Sequence, residues 1–70
     1  MKRERVRSSN IESIGYEPGG KTLEIEFKDG GIYQYVGVPE GTYAQLMGSH
    51  SKGRFFHQYI KDTYQCRKVR

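Results

Sequence analysis

Seventy residues, of which 34% are hydrophobic, make one domain and leave no room for a second. A single cysteine, Cys66, excludes an intrachain disulfide, and no apolar run approaches the roughly 20 residues that cross a bilayer, so the chain is expected in the cytoplasm with no membrane partner. The net charge of +4 sits at the two ends: Lys2, Arg3, Arg5 and Arg7 oppose only Glu4 in residues 1–7, residues 65–70 hold Arg67, Lys68 and Arg70, and residues 8–64 carry five basic against seven acidic side chains.

Charge of this kind attracts polyanions by counterion release without reading sequence, and it equally well keeps a solvated tail in solution. Residues 1–7 are therefore expected to form a basic tail ahead of one domain spanning 8–70. A chain this short buries only about 60% of its unfolded surface, so its core is thin. Six Tyr and three Phe supply much of the available bulk, and each buried ring removes about 150–250 Å² from water. Packing is the first duty of these rings. Self-association is another route by which small domains without staples gain stability.

Residues 11–17 predict a first strand, its alternation broken around Gly15 in a way that marks a bulge. Pro18-Gly19-Gly20 is a turn. Residues 22–28 alternate cleanly, with Leu23, Ile25 and Phe27 on one face and Thr22, Glu24, Glu26 and Lys28 on the other. Asp29-Gly30-Gly31 then folds a hairpin onto residues 32–37.

Two registers are open. A two-residue Asp29-Gly30 turn sets Phe27 opposite Ile32 and sends Tyr33 and Tyr35 to the Glu24/Glu26 face. A three-residue loop, Lys28-Asp29-Gly30 with Gly30 left-handed, sets Phe27 opposite Gly31 and brings both tyrosines to the core side. The need for buried aromatic bulk, and the cost of burying the Gln34 amide without a partner, favour the second.

After Pro39, Tyr43, Leu46 and Met47 form one apolar stripe on a helix over roughly 40–47, ended by Gly48. Ser49 or Ser51 can cap a second helix over about 52–63, with Phe55, Phe56, Tyr59, Ile60 and Thr63 as its stripe. Residues 64–69 carry no decisive pattern. The fold class is α+β: a small antiparallel sheet of three or four strands followed by two helices packed on one face.

Chemistry is sparse. His50, His57 and Cys66 show no metal-ligand spacing, so no metal and no cofactor are expected. Ser49-His50-Ser51-Lys52 contains a formal Ser-x-x-Lys pattern, but the cleft and companion motifs such an enzyme needs do not fit in this length. Glu24 and Glu26, about 7 Å apart on one strand face, read as solvated carboxylates. An enzyme is not expected. The distinctive stretch is residues 49–56, where a helix start with free N–H groups is surrounded by Ser51, Lys52, Gly53 and Arg54, a setting that attracts anions. Tyr33, Tyr35, Phe55 and His57 are the candidate stacking faces for bases.

Ser8-Ser9-Asn10-Ile11, Ser13-Ile14-Gly15-Tyr16, Leu23 to Phe27, Tyr33-Gln34-Tyr35, Val38-Pro39, Ser51-Lys52-Gly53, Phe55-Phe56 and Ile60-Lys61, in this order, resemble the KTSC domain over roughly residues 6–69. That domain is named for its place at the C-terminus of some lysyl-tRNA synthetases, and it also occurs alone in short bacterial proteins. Tyr33 and Tyr35 match the family's Tyr-x-Tyr motif. RNA binding has been suggested from the synthetase attachment, which is association and not mechanism. The acidic balance of residues 8–64 weighs against it, because an RNA-binding face should be basic within the fold.

The reading that results is a non-catalytic binding module. Its expected ligand is RNA or another polyanion, held weakly by Arg5, Arg7, Ser51, Lys52, Gly53, Arg54, Lys61, Arg67 and Lys68, with Tyr33 and Tyr35. The alternative is a protein-interaction module that takes its partner on an edge strand or on the Tyr33/Tyr35 surface.

Overall fold

The computed structural model describes residues 1–70. Five strands, β1 (Arg3–Arg5), β2 (Ile11–Glu17), β3 (Thr22–Phe27), β4 (Ile32–Val36) and β5 (Gln65–Lys68), pair antiparallel in chain order. The helices α1 (Glu40–Gly48) and α2 (Lys52–Tyr59) are inserted between β4 and β5. Leu46, Phe56 and Ile60 from the helical segment meet Ile11, Ile14, Leu23, Ile25, Tyr35 and Val38 in one core, so both helices cover the same face. The α+β class stands, with five strands where the sequence indicated three or four.

The extra strands are the two edges. β1 lies in the segment expected to be a basic tail. It pairs with β2, and its cations find carboxylates on two strands, Arg5 on Glu12 of β2 at 2.8 Å and Arg3 on Glu24 and Glu26 of β3, while Val6 packs against the core. β5 settles the undecided residues 64–69 by adding to β4, with Cys66 opposite Tyr35 and Arg67 opposite Gln34.

The hairpin takes the three-residue loop. Ile25 faces Tyr33 and Leu23 faces Tyr35, Phe27 N donates to Gly31 O, and Gly30 adopts φ +98, a conformation that costs a glycine nothing. Tyr35 is buried and Tyr33 half-buried, both on the helix side.

The bulge in β2 lies at Glu12, between Ile11 and Ser13, and not around Gly15. Ile11 and Ile14 are three apart, so a regular strand would send them to opposite faces. The extra residue returns both to the core, where each is fully buried. Gly15 serves another end, as the open face shows.

On that open face one row crosses the sheet: Arg3, Gly15, Glu24, Gln34, Arg67. Gly15 has no side chain, so Arg3 reaches over it to the Glu24 carboxylate. Gln34 Nε2 donates to Glu24 Oε1 at 2.8 Å, and Arg67 Nε donates to Gln34 Oε1 at 3.0 Å. Beside the row, Ser13 Oγ accepts from Arg3 Nε and donates to Glu26. Burial pushes the Glu24 carboxyl up, but the hydrogen bonds from Gln34 and Arg3, with the Arg3 charge, outweigh it and hold the group below its ordinary value.

Pro39 occupies the N-cap of α1, and Tyr43 and Met47 flank the buried Leu46 as the stripe requires. α2 ends at Tyr59 and not near residue 63. Lys61 N turns back to Phe56 O, which lets Ile60 drop into the core and sends the chain to the β4 edge. Thr63 therefore lies outside the helix and is exposed.

Candidate nucleic-acid interface

Two short segments distant in sequence are pressed together at the start of α2. In the first, Ser8 Oγ accepts from the N–H groups of Asn10 and Ile11 and donates to Asn10 Oδ1, which fixes a tight turn. Lys28 N donates to Asn10 O and ties the turn to the hairpin loop. In the second, Ser49 and Ser51 brace one another, Ser51 Oγ accepts from Arg54 N at 3.4 Å as the helix cap, and Lys52 Nζ donates to Ser49 O at 3.1 Å. Gly53 is the contact between the two segments. A Cβ there would stand 2.6 Å from Asn10 Oδ1, so what approaches this glycine's backbone is the Asn10 side chain.

A groove of two lobes opens around that contact. The polar lobe, about 480 Å³, is lined by Arg7, Ser8, Ser9, Asn10, His50, Ser51, Lys52, Gly53, Arg54 and His57, none of them hydrophobic. The aromatic lobe, about 470 Å³, is walled by Phe27, Tyr33, Tyr35, Phe56, Lys61, Asp62 and Cys66. Asn10, Gly53 and His57 belong to both, so the lobes share a seam.

Edge-to-face contacts run Tyr33 to Phe27 at 5.8 Å, Phe27 to Phe56 at 5.4 Å and Phe56 to Tyr35 at 5.3 Å, giving the aromatic lobe a rigid floor. Burial pushes the Tyr35 phenol up to about 12, with Cys66, Tyr33 and Asp62 adding to the shift, so this ring stays neutral in the wall.

Electrostatically the groove differs from the chain average. Glu12, Glu24 and Glu26 are engaged by Arg3 and Arg5, on or beside the open sheet face. The only carboxylate lining the groove is Asp62, against Arg7, Lys52, Arg54 and Lys61. None of those four cations forms an ion pair within 4.0 Å. The acidic balance of residues 8–64 is thus a property of the sequence segment and not of this surface.

Most of the residues singled out from the sequence converge here. Arg7, Ser51, Lys52, Gly53 and Arg54 line the polar lobe, and Tyr33, Tyr35 and Lys61 the aromatic one. Three do not: Arg5 is engaged with Glu12, Arg67 lies on the open face against Gln34, and Lys68 sits in β5 opposite Tyr33. Of the stacking candidates, His57 lies at the seam, whereas Phe55 packs on Tyr59 at 4.8 Å elsewhere. Ser8, Ser9, Asn10 and Asp62 are lining residues that the sequence did not single out as such. No turn was expected at residues 8–10, and nothing in the sequence set them beside the start of α2.

His50, Ser51, Lys52 and His57 share the polar lobe, yet they are not wired as a nucleophile and base. The Ser51 hydroxyl caps the helix, the Lys52 ammonium rests on Ser49 O, and no hydrogen bond joins Ser51 to Lys52 or to either histidine. No group of three or more His, Cys, Asp or Glu side chains comes together to hold a metal ion. No helix is long and apolar enough to cross a membrane.

Fold and groove together define a small α+β domain with a groove of cations and aromatic rings on its helix-bearing side. Comparison with known proteins gives its family. The chain belongs to the KTSC domain family, whose model matches residues 7–64, as the ordered motifs implied. A crystal structure of a KTSC domain protein from Yersinia pestis superposes with a TM-score of 0.96 at 49% identity, covering 99% of this chain and 97% of that one. An uncharacterised protein of Stutzerimonas stutzeri is 41% identical over 64 residues, 91% of this chain and 90% of its own length. A lysine–tRNA ligase of Nostoc is 40% identical over 65 residues, which are 93% of this chain but 12% of the ligase.

Proposed function

We propose that this chain is a non-catalytic module that binds single-stranded RNA weakly and with little sequence preference, through the two-lobed groove. The observation that carries the reading is the shared seam, which sets three cations beside a floor of aromatic rings. Single strands are held by that pairing: cations neutralise phosphates, and exposed rings accept unstacked bases of any identity. The similar segment in a lysine–tRNA ligase supports it, since that enzyme works on an RNA.

The test is a titration with a short single-stranded oligoribonucleotide at two salt concentrations. If Arg7, Lys52 and Arg54 each neutralise one phosphate, affinity falls roughly 20-fold between 50 and 200 mM salt. The Lys52→Glu, Arg54→Glu double variant loses binding. Binding that ignores salt, or none at low salt, removes the proposal.

One observation favours a protein partner instead. Phe55 and Tyr59 lie 4.8 Å apart in a second hollow with Thr42, Gln45 and Tyr64, and Tyr59 is 51% exposed. This hollow has no charged lining, in keeping with the depletion of charge and the aromatic enrichment at the core of protein interfaces. A Tyr59→Ala variant that lost a nuclease-resistant partner while keeping RNA affinity would favour this surface.

A further inference from the structure

We infer that the groove is a one-nucleotide site, with the base in the aromatic lobe and its phosphate in the polar lobe. The inference rests on the RNA reading and makes it specific. Each lobe, at about 480 and 470 Å³, falls in the lower part of the range of small-molecule pockets, about 300–1,000 Å³. Their linings are opposite in character. Arg7, Lys52 and Arg54 face one lobe with no carboxylate, and rings floor the other.

A nucleotide has this same division between a flat aromatic ring that stacks and an anionic phosphate, joined by a sugar rich in hydroxyls. The seam offers that sugar the Asn10 amide and the His57 imidazole. Polarity follows from Asp62. It is the only carboxylate of the groove and lies in the aromatic lobe, where it repels phosphate and can accept a hydrogen bond from an exocyclic amino group of a base. Tyr33 and Phe27 are half-buried and His57 is exposed, so ring surface is accessible to the base, while Tyr35 and Phe56 lie beneath. An acidic peptide would satisfy the cations but has no use for the rings.

The experiment is an amide chemical-shift titration of the whole chain with adenosine monophosphate, adenosine, inorganic phosphate, a short oligoadenylate and a polyglutamate peptide. The monophosphate is expected to move amides around both lobes, Arg54 and Lys61 together, with at least tenfold higher affinity than adenosine or phosphate. Adenosine should move the aromatic lobe and the seam but not Arg54, and phosphate the polar lobe but not Lys61. Arg54→Gln should weaken the monophosphate and phosphate while sparing adenosine. His57→Ala, at an exposed position, should weaken the monophosphate and adenosine while sparing phosphate. A monophosphate that moves only the polar lobe, no tighter than phosphate or polyglutamate, overturns the one-nucleotide site; if oligoadenylate still binds, the RNA reading survives. Failure of oligoadenylate with the monophosphate in both lobes has the opposite meaning: the site stands for free nucleotides and the RNA reading falls.

Discussion

Tyr16 Oη donates to the carbonyl of fully buried Val38 at 2.5 Å, and the Tyr16 ring stacks on Tyr43 at 4.7 Å, 8° from parallel. One side chain of β2 thereby holds the connection that leads into α1 and the helix itself. Burial, with Glu40 as a second cause, pushes the Tyr16 phenol up, so it remains a donor at neutral pH. Tyr16→Phe keeps the stack and leaves the Val38 carbonyl without this donor. The expected loss is about 1–2 kcal/mol in a denaturant melt, with little change in the slope. Gly53→Ala gives a different result. The neighbour it meets is the end of a rotatable Asn10 side chain, and alanine in a helix gains up to about 1 kcal/mol over glycine. Stability should therefore change by less than about 1 kcal/mol, while the displaced Asn10 weakens nucleotide binding at the seam. This separation was not readable in the sequence, where Gly53 was only one of the residues expected to hold a polyanion; nothing in residues 8–10 announces that they lie beside it.

At the scale of elements, the interior strands were readable and the edges were not, for one physical reason. β3 alternates because one face meets the core, and the loop arithmetic at Gly30 placed Tyr33 and Tyr35 correctly. β1 and β5 have scarcely any buried residue, so no alternation marks them; their pairing comes from backbone ladders and from polar partners that only the register reveals. The bulge was expected in β2 but assigned to the wrong residue, because Gly15 is conspicuous and Glu12 is not. Gly15 is needed for β1: a Cβ there would lie 2.9 Å from the Lys2 carbonyl oxygen and 3.0 Å from Arg3 Cγ. Gly15→Ala must lift β1, at an expected cost of about 1–3 kcal/mol, with hydrogen-exchange protection lost in residues 3–5 before any other strand. Acid acts on the same junction. The Glu24 carboxyl lies below its unfolded value, so its stabilising contribution is complete above the unfolded value and fades as pH falls through the folded one. Acid unfolding of the chain should begin below about pH 4, and Glu24→Gln should lower stability at pH 7 while flattening that acid limb.

For the whole molecule, the question is whether a net charge of +4 acts as a diffuse field or through one surface. From composition the basic ends were the natural candidates, and the body counted against RNA. Folding redistributes that charge: Arg3 and Arg5 are engaged with carboxylates, Arg67 joins the open-face row, and Arg7 joins Lys52 and Arg54 from 45 and 47 positions further on. The molecule measures 28 × 25 × 23 Å, about three Debye lengths across at physiological salt, so a charge on the far face contributes little to a phosphate in the groove. Two double variants that each remove two positive charges separate the alternatives. Lys52→Gln with Arg54→Gln should cost at least tenfold in oligoribonucleotide affinity at about 0.15 M salt and reduce the salt slope by about 1.4. Arg67→Gln with Lys68→Gln should change affinity less than about threefold and leave the slope alone. Equal losses from the two pairs would mean that RNA is attracted by net charge without a defined groove.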